Sequence, residues 1–229
     1  SKQTDNKSPT PAHPKPSARG ITLYYFNAKG RAESIRFFLA HNNIQYTDRR
    51  IEMADWQSLK NTFEFKQLPA ADVDGKKLSV STAILRYLCQ KQGMYPKEKF
   101  DVYLSESTVD LLNDLIAVIG KYIFIDKNLQ GLEQYLSDGD GMHKMKVLEM
   151  RLNNHMGGLG FFIGNYISYV DFVVLSFVHS NYFTSGSGQE ARLAKLAKAV
   201  PALKAYVDRI VSLSPGIQGY LQRRPITSG

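Results

Sequence analysis

Beyond residue 20 the chain changes hydrophobic rhythm at about residue 93. Residues 21–26, Ile-Thr-Leu-Tyr-Tyr-Phe, are β-branched and aromatic and predict a strand. Asn27 and Gly30 then mark a turn, and residues 32–41 space their apolar positions as on a helix. Residues 44–51 read as a second strand and 55–65 as an irregular or helical link. Residues 71–73 and 77–80 read as a hairpin around Asp74-Gly75, and a helix follows over 81–92. The order βαβ then ββα describes a small α/β domain with a mixed sheet.

Gly93 and Pro96 interrupt this pattern. Helical spacing dominates afterwards, over 101–125, 129–135, 142–155, 168–181, 191–198 and 202–211. The expected fold is α/β plus all-α: an extension over 1–20, an α/β domain over 21–93, a linker over 94–100 and a helical domain over 101–229. Ser168 and Asp171 precede the apolar run 172–178 at the spacing of a capping box, which gives both residues to folding.

Composition narrows the chemistry. Of the 229 residues 43% are hydrophobic, enough for a sizeable core, and one cysteine, Cys89, excludes an internal disulfide or a CxxC redox pair. No apolar run approaches the length that spans a bilayer, so no stable membrane insertion is expected. The formal net charge is +8, of which residues 1–20 carry +3 through Lys2, Lys7, Lys15 and Arg19 against Asp5. The remaining charge is scattered, without the basic stripe that nucleic acid requires. That segment also contains Pro9, Pro11, Pro14 and Pro16 and is expected to be a disordered arm. Its Ser1 start reads as processed or engineered, and together with the Asn6-Lys7-Ser8 acceptor it leads to the expectation of an exported chain, against a cytoplasmic alternative.

Three motif readings fail. Asp138-Gly-Asp140-Gly141 begins like a calcium loop, but His143 stands at the sixth position, where the turn needs glycine. Gly157-Gly-Leu-Gly160 lacks the spacing and the preceding strand of a dinucleotide fingerprint and reads as a helix stop. The five histidines form no HxxxH pair, and Cys89 beside Leu88 reads as a buried small hydrophobe, so no metal site is expected.

One constellation in the first domain remains. Tyr25 ends the first strand before a glycine-containing turn, where side chains of α/β sheets face a ligand cleft or pack into the core. Leu68-Pro69 precedes the hairpin and is compatible with a cis bond that leaves the backbone of Leu68 open to a peptide ligand. Ser81 stands at the N-terminus of the third helix, either as an ordinary cap or as a receptor for a carboxylate.

The segments 22–33, 44–56, 67–69, 73–75 and 81–88, together with Arg223-Arg-Pro225, resemble sigma-class glutathione transferases. That class includes haematopoietic-type prostaglandin D synthases and a secreted filarial-nematode transferase with a comparable N-terminal extension. The resemblance covers 21–229 and is thin in the middle of the helical region. It implies a thioredoxin-like domain followed by a helical domain, glutathione as co-substrate or cofactor, a hydrophobic small-molecule electrophile and a homodimer. By resemblance, Tyr25 holds the glutathione thiol and Arg31 lies close to it. Trp56 and Lys60 hold the glycyl carboxylate, Gln67 and Leu68 border the cysteinyl backbone, and Pro69 is the cis-proline. Ser81 binds the γ-glutamyl carboxylate, and Asp114 crosses the dimer interface towards the partner's γ-glutamyl ammonium.

Two positions depart from the pattern, and one family residue is missing. Val80 replaces the usual glutamine before the serine, which removes one hydrogen bond to glutathione. Asn113 replaces one of three acidic residues of the prostaglandin enzymes, beside Asp110 and Asp114, which bears on metal activation. Trp56 is the single tryptophan, so the large product-side tryptophan of those enzymes is missing. The resemblance implies a transferase, with prostaglandin H2 to D2 isomerisation as a second activity. The lens crystallins of the family supply the alternative of a non-catalytic protein.

Overall fold

The computed structural model describes residues 20–182, 189–225 and 227. The expected arm over 1–19 and its Asn6 acceptor lie outside the described residues. Along the chain run β1 (Ile21–Phe26), a 3₁₀ turn (Gly30–Ala32), α1 (Glu33–His41), β2 (Tyr46–Ile51), α2 (Met53–Leu59), a second 3₁₀ turn (Lys60–Thr62), β3 (Ala70–Val73), β4 (Lys76–Ser79) and α3 (Ser81–Lys91). Then come α4 (Lys99–Gly120), α5 (Leu129–Ser137), α6 (Asp140–Asn154), α7 (Tyr169–Asn181), α8 (Gln189–Ala199), α9 (Pro201–Ser212) and α10 (Pro215–Arg223).

The described residues divide into two compact units. Residues 20–27 and 45–80 form one, and the rest, including α1 and α3, form the other. The sheet of the first unit has the order β2-β1-β3-β4, with β1 parallel to β2 and antiparallel to β3. The β3–β4 turn needs positive φ at both central residues for its twist to suit the strands. Asp74 and Gly75 supply φ of 50° and 82°. Tyr24, Ile51, Phe63 and Ala70 make the core of this unit, with Trp56, Leu59 and Leu68 packed against them.

In the helical unit α7 is buried along its length and packs with α1, α3, α4 and α9. Its amino end follows the expected capping logic and extends it. The wholly buried Asp171 accepts from Ser168 N–H at 2.7 Å, Ser168 Oγ at 2.8 Å, Phe162 N–H at 3.1 Å and the Tyr206 hydroxyl. Burial pushes this carboxyl above the usual range, against the pull of those donors.

Several elements differ from expectation. The helix expected over 101–125 is α-helical only to Gly120 and closes in a π-helical turn over Lys121–Ile125. The unexpected α10 is started by Ser214, whose Oγ accepts from Ile217 N–H at 3.4 Å, and by Pro215 in its first turn. The calcium-like segment enters α6 at Asp140, with Asp140 paired to Lys144 at 2.7 Å and Asp138 to Lys195 at 3.0 Å. Gly157 and Gly158, at φ of 61° and 78°, end the α6 region as expected of a helix stop.

Candidate active site

Successive side chains of a strand point to opposite faces, so the neighbouring tyrosines of β1 have different surroundings. Tyr24 is buried in the core, donates to Asp72 Oδ2 at 2.9 Å and meets Phe63 edge-on at 5.6 Å. Burial first and the Asp72 bond second push its phenol up to about 12. Tyr25 projects from the other face at the carboxyl end of β1, is half-buried, and lies 5.7 Å from Phe26 between ring centres. Opposite it in register, Arg50 of β2 bonds Asp48 and, at 3.2 Å, Asn27 Oδ1 just beyond β1.

Trp56 and Leu68 gather on the Tyr24 face. The Trp56 ring meets Phe26 edge-on at 5.5 Å and lies 5.8 Å from Phe63, and the residue is half-buried. Lys60 opens the 3₁₀ turn that follows α2, so one turn of helix separates it from Trp56. Gln67 is exposed, Pro69 is buried, and the Leu68–Pro69 bond is cis.

The other candidates belong to the helical unit. Ser81 is the first residue of α3 and is buried. The first-turn N–H groups of a helix have no intrahelical acceptor, and with the helix dipole they favour a carboxylate there. Val80, immediately before it, has φ of 72°, a region β-branched residues rarely enter. Arg31 lies in the 3₁₀ turn ahead of α1, and its Nη1 donates to Asn113 Oδ1 of α4 at 3.3 Å. Asp110 and Asp114 are exposed on α4, one helical turn apart. Lys144 of α6 feels the negative charge of Asp114, after the larger effect of its hydrogen bond to Asp140.

The link from Arg31 to Asn113 had no sequence signal beyond the presence of an asparagine among acidic residues, because 82 positions separate the two. A buried cluster, equally without a local sequence signal, joins α1 to α10. Glu33 accepts from Arg36 at 3.3 Å, Arg224 at 2.7 Å and the Tyr220 hydroxyl at 2.9 Å. Cys89 is buried, and burial pushes its thiol well above the ordinary range, which removes it as a nucleophile.

A thioredoxin-like strand order, a cis-proline before β3, a strand-end tyrosine and an all-helical second half define the glutathione S-transferase class. The description "Glutathione S-transferase, N-terminal domain" matches residues 21–90 and "Glutathione S-transferase, C-terminal domain" matches 114–224. The chain belongs to this family, on its sigma-class branch, and is a glutathione transferase with glutathione as co-substrate. It is 32% identical over 208 residues to chicken (Gallus gallus) hematopoietic prostaglandin D synthase, covering 90% of this chain and 97% of the relative. It is 32% identical over 212 residues to S-crystallin SL11 of Nototodarus sloanii, covering 90% and 98%. Among solved structures, prostaglandin synthase D of Nilaparvata lugens is similar with a TM-score of 0.76 and 26% identity, over 91% of this chain and 100% of that one. A monomeric glutathione S-transferase of the hookworm Necator americanus is similar with a TM-score of 0.77 and 25% identity, over 92% and 100%.

Proposed function

We propose that this chain activates the glutathione thiol through Tyr25, assisted by Arg31, for attack on hydrophobic electrophiles, and that it also isomerises prostaglandin H2 to prostaglandin D2. The observation that carries the assignment is the division of labour on β1. Tyr24 is committed to Asp72 inside the core, whereas Tyr25 is half-buried at the strand end. The similarity to prostaglandin D synthases supports the second activity.

The donor set suits glutathione. Lys60 and Trp56 offer a cation and an indole N–H for the glycyl carboxylate. The backbone at Gln67 and Leu68, ahead of Pro69, offers strand-like hydrogen bonds to the cysteinyl segment. Ser81 and the amino end of α3 receive the γ-glutamyl carboxylate. In a homodimer, Asp114 supplies the anion for the γ-glutamyl ammonium of the other subunit's ligand. Residues 21–93 then act as the glutathione-binding domain and 101–229 carry the electrophile site. Export of the chain is supported by the Asn6 acceptor alone, and a glycan at Asn6 of the native protein is the check.

Glutathione supplies a nucleophilic sulfur, which displaces a leaving group from an electrophilic carbon or opens a peroxide oxygen–oxygen bond. The protein's part is to make that sulfur anionic. A thiol with pKa near 8.5 is only about 3% thiolate at pH 7. A hydrogen bond from the Tyr25 hydroxyl to the anion, worth about 1.5–3 kcal/mol, lowers that pKa by about one to two units. The Arg31 guanidinium, which also donates to Asn113, adds positive potential.

A turnover assay with a general aryl halide and with prostaglandin H2, side by side, tests the reading. Glutathione-dependent turnover of both is expected. Conjugation without prostaglandin D2 formation removes the isomerase assignment, and turnover of neither substrate favours a crystallin-like role.

A further inference from the structure

Within the helical unit a cleft of about 550 Å³ opens beside the α5–α6 turn, bounded by α6 and α8. Its walls carry His143 and Lys146 from α6 and Lys195 and Lys198 from α8, and Met142 and Ala199 give it apolar surface. In each helix the two polar residues are three positions apart, which puts them on one face. Among the described residues the cleft is thus lined by three ammonium groups against a single carboxylate, Asp138, which is already paired with Lys195.

The two remaining cations differ from the scattered charge of the surface in sharing one concavity. Other basic residues of the same helix have partners: Lys144 pairs with Asp140, and Arg151 bonds the hydroxyls of Ser107 and Thr108. Lys146 and Lys198 have neither an ion pair nor a hydrogen bond among the described residues. Cations gathered around one concavity repel each other and raise the local potential, and an anion relieves both effects. The volume lies within the range of small-molecule sites.

We infer that this cleft is a binding site for a small organic dianion, with two negative groups carried on an apolar body. Two anionic groups match the two unpaired ammoniums, and the apolar body matches Met142 and Ala199. The site is separate from the one proposed for glutathione, since Tyr25, Arg31, Trp56, Lys60, Ser81 and Asp114 are all absent from its lining.

The test is calorimetric titration of the full chain with 1,5-naphthalenedisulfonate, with inorganic tripolyphosphate as a probe of charge alone. The disulfonate is expected to bind saturably, one per chain, and more tightly than tripolyphosphate. The double variant Lys146→Gln/Lys198→Gln should weaken it by about tenfold or more while glutathione conjugation is unchanged. Asp138→Asn should tighten it several-fold, because the one competing carboxylate is gone. Saturating glutathione should leave the affinity unaltered. Absence of saturable binding, an unchanged affinity in the double variant, or displacement by glutathione would each overturn the inference. Tighter binding of tripolyphosphate than of the disulfonate would overturn the assignment of an apolar body.

Discussion

An arginine bonded to an amide keeps a charge that a carboxylate partner would cancel. Arg31 donates to Asn113 Oδ1, and Asp110 and Asp114 on the same helix are exposed. If Arg31 lies close to the glutathione thiol as proposed, a carboxylate at position 113 would reduce the positive potential it lends there. Replacing Asn113 with Asp should move the acidic limb of the glutathione turnover profile upward by about half to one pH unit, since the thiolate loses stabilisation. Asn113→Leu should keep the charge but release the guanidinium, lowering kcat with little movement of that limb. Superimposable pH profiles for the wild type and the Asp variant would remove Asn113 from the account. At this scale the sequence exposed residue types but not their partners. The period-two rule separates Tyr24 from Tyr25 on inspection. That Tyr24 binds Asp72, or that Val80 takes a left-handed backbone, depends on the sheet register and on how β4 enters α3, and both are tertiary.

Secondary elements were more legible, because their signals are local. The Asp74-Gly75 turn, the stop at Gly157-Gly158 and the Ser168–Asp171 start are each written within a few residues. The helix α10 carries a start signal in Ser214-Pro215, but the segment after it is short and weakly apolar, so its periodicity is faint. Grouping of α1 and α3 with the helical unit follows from long-range packing, to which periodicity is blind. The joint of α3, α4 and α7 shows such packing in polar form. Arg86 of α3 grips Glu106 of α4 through two bonds of 2.7 and 2.6 Å, the Tyr95 hydroxyl adds a third at 2.7 Å, and Arg86 also reaches the Tyr169 hydroxyl of α7. Burial raises the Glu106 pKa, but the bonds from Arg86 and Tyr95 outweigh it, and the carboxyl sits below its ordinary value. A lowered folded pKa stabilises the fold above the unfolded value, about 4.3, and that contribution disappears as pH falls through the folded one. Glu106→Gln should therefore cost about 1–2 kcal/mol in urea unfolding at neutral pH, allowing for the part-exposed pair. The gap to wild type should close on acidification. A deficit that persists at acid pH would trace the loss to packing instead.

At the scale of the whole molecule, the order of an α/β half and a helical half was legible from the change of hydrophobic period, whereas assembly was not. Exposed Asp114 has Lys144 within electrostatic reach in its own chain, so its proposed role towards a second subunit is a competition between two cations. Asp114→Asn should raise the Michaelis constant for glutathione by about threefold to tenfold, from about 1 kcal/mol of lost pairing, and leave turnover at saturation nearly intact. Sedimentation at assay concentration should show a dimer, and a fully active monomer would exclude the composite site. The role proposed for Tyr25 is to lower the pKa of the bound thiol. The most direct measurement is the ultraviolet difference absorbance of the thiolate, followed against pH in the complexes of wild type, Tyr25→Phe and Tyr24→Phe with glutathione. Thiolate is expected to form in the wild type and Tyr24→Phe complexes about one to two pH units below free glutathione, and near the free value in Tyr25→Phe. Loss of the shift in Tyr24→Phe with its retention in Tyr25→Phe would contradict it.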